Sequence, residues 1–316
     1  MNQQAKPWLP IDDQIMLLSD RGMNITDANY AAHLLSSVGY YRLSGYWYPY
    51  RKQDPSRHGR RLSQFGEGTE LEEVGALYSF DRELKLLLLA GIERIEVALR
   101  ARVGYVLGEH GPLCYESPSS FRPSFKHSKW LRTIEGRVNR ARGRDDFIDH
   151  HDEHYNGKIP IWVLTDVLDF ADLSILYAGM NNADQRAVAD WFHVTMLPDA
   201  SRSARQRWAK NPPLANWLEH LTVVRNICAH HSRLWNRQLP PVGTSARIRH
   251  LDVFKELPED QHQVERVFGT ICIIDYLLHT ISPENTWRDE VDNLIRRGFA
   301  QLPHRTVTEM GISSAI

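Results

Sequence analysis

The sequence predicts an all-α protein, a helical bundle behind a small N-terminal helical region. Three observations predict it. Apolar residues recur at steps of three and four in several long windows, the spacing of one helix face. No run of strand-period alternation exceeds a few residues, and no internal repeat is present. Hydrophobic residues make up 42% and charged residues 24% of 316 residues, enough apolar side chain for a packed core. Length alone suggests about two domains. Three stretches are expected: residues 1–75 as a helical, aromatic and basic region, 76–300 as the bundle with insertions, and 301–316 as a flexible tail.

The elements follow in order. Residues 10–19 read as a short amphipathic helix with Asp12 and Asp13 in its first turn, where the helix dipole favours acids. Thr26-Asp27 can cap a second helix through about residue 37. Residues 39–52, GYYRLSGYWYPYRK, are aromatic and basic, and their Gly and Pro argue against a long regular element. Residues 54–68 read as a polar loop. The strongest helix lies over 80–108, where Leu84, Leu88, Ile95, Leu99 and Val106 mark the stripe and Glu96 and Arg100 form an i,i+4 pair. Residues 112–124 look irregular. Residues 130–144 form a basic amphipathic helix, 147–155 a short His-rich one, and 159–180 a segment apolar enough for the core. A helix follows over 183–192, then a polar, basic loop or insertion over 198–213. Leu214, Trp217, Leu221, Val224, Cys228, His231 and Trp235 step 3,4,3,4, which predicts one helix over 214–235. Helices over 261–281 and 287–299 complete the chain, and residues 303–316 are expected to fray.

Charge narrows the function. With 38 Lys+Arg against 39 Asp+Glu the net charge is −1, so any polyanion must be held by a local patch. The longest wholly apolar run, residues 86–92, is far short of the ~20 residues of a membrane span, so no membrane association is expected. The N-terminus carries no secretory pattern. Cys114, Cys228 and Cys272 have no paired spacing, which points to reduced thiols in the cytoplasm.

Residues 224–237, VRNICAHHSRLWNR, are the densest in chemistry. On an ideal helix Arg225 and His230 stand 140° apart, whereas Asn226, His230, Arg233 and Arg237 share a face. A solvated polar face with one buried His would explain part of this. Against that, such faces usually carry Lys and Glu, and Arg225 borders an apolar stripe where an unpaired charge is costly.

The hexapeptide Arg225-Asn226-Ile227-Cys228-Ala229-His230 resembles the R-N-x-x-x-H motif of HEPN domains, helical bundles many of which are ribonucleases. Four blocks, VGYYRLSGYWYPYR, SFDRELKLLLLAGIERIEVALRARV, IPIWVLTDVLDFADLS and VVRNICAHHSRLWNR, resemble in order the abortive-infection (Abi, AbiD/AbiF-like) family of bacterial phage-defence proteins, over roughly residues 10–278. The resemblance implies a HEPN-type bundle and a metal-independent endoribonuclease. In it the 2′-OH of RNA attacks the adjacent phosphate, leaving a 2′,3′-cyclic phosphate and a 5′-OH. His230 would act as acid or base, since imidazoles titrate near working pH. Arg225 would stabilise the phosphorane, and Asn226 would hold Arg225 or the phosphate. One motif per chain implies a homodimer with a composite cleft. RNA would be substrate and, through a small structured non-coding RNA, a regulating partner. The alternative is a non-catalytic HEPN module that grips such an RNA without cutting it. No cofactor is called for.

Further candidates support this site. Glu93, Glu96 and Arg100 could orient Arg225 or His230, or form a plain helix-surface charge network. Tyr41, Arg42, Tyr46 and Arg51 could stack on and clamp RNA, or form an aromatic core segment. Arg140 and Arg144, Arg205 and Arg207, and Arg233 and Arg237 could track phosphates, or face solvent. His231, on the apolar stripe, reads as a core or interface histidine. His150 and His154 could ligate zinc, but no third ligand is evident.

Overall fold

In the computed structural model, residues 7–57, 59–195, 201–210, 212–242 and 265–313 are described. They are mostly helical, as expected. The N-terminal helices are α1 (Ile11–Asp20), α2 (Ala28–Val38) and α3 (Tyr40–Trp47). Asp27 caps α2, its Oδ1 accepting from the amides of Asn29 at 2.9 Å and Tyr30 at 3.0 Å. The aromatic segment thus contains a helix, and the stretch beyond it a hairpin, neither of which was expected. Strands β1 (Arg51–Gln53) and β2 (Arg61–Phe65) pair antiparallel, Arg51 opposite Phe65. They are short and polar, so they carry no period-2 signal.

Helix α4 (Leu71–Gly108) is the spine. It has 38 residues and begins nine residues before the start expected at residue 80. The domain boundary expected at 75/76 therefore falls inside it. Around α4 pack α3, α7 (Ile161–Val167), α8 (Phe170–Gly179), α9 (Asn182–Trp191), α11 (Pro213–Ala229), α12 (Val267–Ile281) and α13 (Trp287–Phe299). Leu77, Leu84, Leu88, Ile95, Leu99 and Val103 are fully buried on it, each contributing about 1.5–3 kcal/mol by the area it removes from water. Two glycines set how closely neighbours approach. A Cβ at Gly91 would sit 2.5 Å from Ile274 on α12, and one at Gly104 would sit 3.0 Å from the Trp162 backbone on α7.

Helices α5 (His127–Ala141) and α6 (Asp146–Tyr155) match the expected basic and His-rich segments. The apolar segment 159–180 is two helices, α7 and α8, broken where Leu168 and Asp169 turn extended. Residues expected as a basic loop contain α10 (Arg202–Lys210), built of good helix formers. The expected 261–264 and 198–200 lie outside the described residues. The tail is packed rather than frayed over the described residues 303–313. Leu302, Met310 and Ile312 are buried, a capping box joins Thr306 and Glu309, and His304 Nδ1 meets Glu73 Oε2 at 2.7 Å. No helix among the described residues is long and apolar enough to cross a membrane.

Candidate functional site

Helix α11 carries the motif. Pro213 opens it, where a missing amide costs nothing. Leu214, Trp217, Leu221, Val224 and Cys228 are buried along one side, so the helix is fixed by its packing. Arg225, Asn226 and His230 are exposed at its C-terminal end. Arg225 Nη1 lies 3.5 Å from Asn226 Oδ1. Facing them from α4, Glu96 Oε1 accepts from Arg100 Nη2 at 2.5 Å, and the same nitrogen donates to the Leu168 carbonyl at 3.0 Å. Burial raises the Glu96 carboxyl above its ordinary value, with the Arg100 and Arg225 cations pulling it down and Asp169 pushing it up. Glu96, Arg100 and Arg225 thus share one electrostatic neighbourhood. Glu93 is exposed, with no side-chain hydrogen bond or ion pair among the described residues.

The helix stops at Ala229, six residues short of the expected end. His231 adopts a left-handed conformation (φ 56°), and two bonds close the turn: Ser232 N–H to the Ile227 carbonyl at 3.0 Å and His231 N–H to the Cys228 carbonyl at 3.0 Å. This is a Schellman cap with His where Gly is usual. His231 is therefore an exposed turn residue, not a core histidine. The buried histidine of α11 is His220. The face expected to unite Asn226, His230, Arg233 and Arg237 does not exist, because the backbone leaves the helix between them.

A buried knot fixes that turn. Asp81 on α4, wholly inaccessible, accepts from the amides of Trp235 at 2.7 Å and Leu234 at 3.2 Å, and from Tyr46 Oη at 2.7 Å. Lys85 Nζ pairs with Asp81 at 3.2 Å and reaches the Ser232 carbonyl at 3.3 Å. Arg42 Nη1 donates to the His231 carbonyl at 2.6 Å, and Arg233 Nη1 donates to the Gly45 carbonyl. Helices α3 and α4 thereby hold the end of the motif by its backbone.

The knot corrects several expectations. Tyr46 is 1% exposed and committed to Asp81, so it offers no ring to RNA. Arg233 is half-buried and tied to α3. Arg51 is half-buried, its guanidinium 5.8 Å from the Phe65 ring centre. Tyr41, 91% exposed, and Arg42 do lie on the surface, beside the turn after His230. Arg140, Arg144, Arg205, Arg207 and Arg237 are exposed. His150 and His154 lie side by side on α6 with ring centres 4.6 Å apart and planes tilted by 52°, and no group of three ligating side chains able to hold a metal occurs among the described residues. Asp81 and Lys85 escaped the sequence reading, although a charge four residues from another inside the stripe Leu77–Leu84–Leu88 is a visible signal of a buried pair.

A family model described as Abi-like protein matches residues 33–236. The chain belongs to the Abi-like protein family. The match runs from α2 to the residue after Trp235, so it takes in the exposed end of α11 together with the knot that grips it. No curated protein and no solved structure matches this Abi-like protein.

Proposed function

We propose that this Abi-like protein is a metal-independent endoribonuclease of abortive-infection phage defence, with its site at the end of α11. The observation that carries the reading is the exposure of Arg225, Asn226 and His230 at the end of a helix otherwise fixed by burial, on a turn pinned by Asp81, Lys85 and Arg42. Such rigidity suits a group that must meet a phosphate in one geometry. In the proposed step His230 takes the proton of the RNA 2′-OH, the 2′ oxygen attacks the neighbouring phosphorus, and the bond to the 5′ oxygen breaks. The 5′ oxygen takes a proton from water as it leaves, while His230 keeps the proton of the 2′-OH until solvent removes it, and the other product is a 2′,3′-cyclic phosphate. Arg225 stabilises the charge that builds on the phosphorane, as a guanidinium fork does. Glu96 orients Arg225 through the field between them. The HEPN resemblance of the motif supports the same roles.

Arg225 and His230 stand on opposite edges of α11, which favours either a cleft completed by a second copy or a module that holds RNA without cutting. Cleavage separates these readings. Purified protein is expected to cut single-stranded RNA in EDTA, leaving cyclic phosphate ends. His230→Ala and Arg225→Ala are each expected to slow it by about 10²–10⁴-fold with the thermal midpoint unchanged. RNA bound and left intact by the wild-type chain selects the non-catalytic reading, and wild-type cleavage by His230→Ala overturns the assignment.

A further inference from the structure

A cleft of about 940 Å³ opens between α5, α8 and the first turns of α11, away from the motif end of that helix. Three cations line it. Arg122 is half-buried, and among the described residues its guanidinium is engaged only by neutral acceptors: the Met180 carbonyl at 3.0 Å, Asn182 Oδ1 at 3.1 Å and Gln185 Oε1. Burial lowers its pKa, so the charge is held at a cost that an anion would offset. Lys126 and Lys129 stand exposed at the start of α5, and no carboxylate among the described residues pairs with either. The cleft also contains two carboxylates. Asp172 is neutralised by Arg137 Nε at 2.7 Å, which leaves only Glu219 against three cations. Phe125, half-buried, adds one aromatic ring to the wall, with Trp130 buried behind it at 5.9 Å between ring centres. Cations with aromatic rings are the composition that tracks a single-stranded nucleic-acid backbone and its bases.

The far wall of the cleft is α11 itself. Asn216 and Glu219 line the cleft, and the series Asn216, Glu219, Val223, Asn226, His230 steps 3,4,3,4 along one face. At 1.5 Å per residue that face runs about 21 Å from cleft to motif. A strand lying in the cleft therefore has a helix surface leading to His230.

We propose that this cleft is a subsite for single-stranded RNA, in which Arg122, Lys126 and Lys129 hold phosphates of the strand whose scissile phosphate lies at His230. It rests on the RNA reading above but not on cleavage. The test uses His230→Ala protein, so that RNA is not consumed, with and without Lys126→Glu and Lys129→Glu, two exposed positions. Affinity for a fluorescent single-stranded RNA is measured against salt, with AMP as a second ligand and circular dichroism as the fold check. The charge reversals are expected to weaken RNA binding at least tenfold near 0.1 M salt. They should also flatten the log–log salt slope by about 1.4, from two lost contacts at ~0.7 each. Unchanged affinity and slope overturn the subsite. AMP binding that is lost on charge reversal while RNA binding stays intact assigns the cleft to a free nucleotide and also overturns it. RNA bound by neither protein overturns the RNA reading and the subsite together. RNA binding that weakens as expected, beside a wild-type chain that does not cut, upholds the subsite and removes only the nuclease.

Discussion

Burial holds the His220 imidazole neutral. Its Nδ1 lies 2.9 Å from the Pro240 carbonyl and its Nε2 lies 2.8 Å from Thr270 Oγ1. A carbonyl only accepts, so Nδ1 carries the proton and Nε2 accepts from the threonine hydroxyl. Desolvation pushes its pKa from 6.5 down to about 4. Between these values the unfolded chain binds a proton that the folded chain does not, so stability falls as pH falls from 6.5 to 4. The loss is on the order of 3 kcal/mol at 1.36 kcal/mol per unit. Urea unfolding of the wild type and His220→Gln across that window is expected to show the wild type alone losing this increment. Parallel pH profiles would sink the assignment. From sequence, His231 reads as a core or interface histidine, and the structure excludes the core. The stripe of α11 is real, but the helix ends before His231 reaches it, while His220 sits among residues whose polar partners, Pro240 and Thr270, come from distant segments.

Elements were legible where their own side chains carry the period. The stripe of α4, the Asp27 cap of α2 and the cores of α11, α12 and α13 all follow from local spacing. Helix α3, the hairpin and α10 were not, because α3 is held by packing onto α4, the hairpin by pairing two short polar strands with Phe65 set against Trp47, and α10 by propensity without an apolar stripe. The Asp81 knot joins three elements at once. Asp81→Ala removes the acceptor of two buried amides and leaves Lys85 buried without its carboxylate, so it is expected to cost about 3–5 kcal/mol in urea unfolding. Adding Lys85→Met should recover part of that loss, since the stranded charge goes with it. A double variant no more stable than Asp81→Ala would show that the amides, not the charge, dominate.

At the scale of the molecule, one contiguous core surrounds α4, and the N-terminal helices and the C-terminal tail close onto it. The proposed composite cleft makes a prediction that only a pair of chains can meet. If Arg225 of one copy serves with His230 of another, two dead proteins complement each other. Mixing the Arg225→Ala and His230→Ala chains and reassembling them gives a dimer with one intact combination. Cleavage is then expected to return to a sizeable fraction of wild type. No recovery, with mixed dimers verified by mass, would place both groups within one chain.

Sequence alone determined the helical class, the residues of the motif and the family blocks that surround it, because these rest on local period and residue identity. The end of α11 was decided elsewhere. The apolar stripe continues through His231 to Trp235, so nothing nearby predicts a stop at Ala229. The helix ends there because Asp81, 153 residues before Leu234, captures the Leu234 and Trp235 amides, while Lys85 and Arg42 take the Ser232 and His231 carbonyls. A buried carboxylate must satisfy its lone pairs with whatever donors packing brings to it, and only the folded chain brings these together.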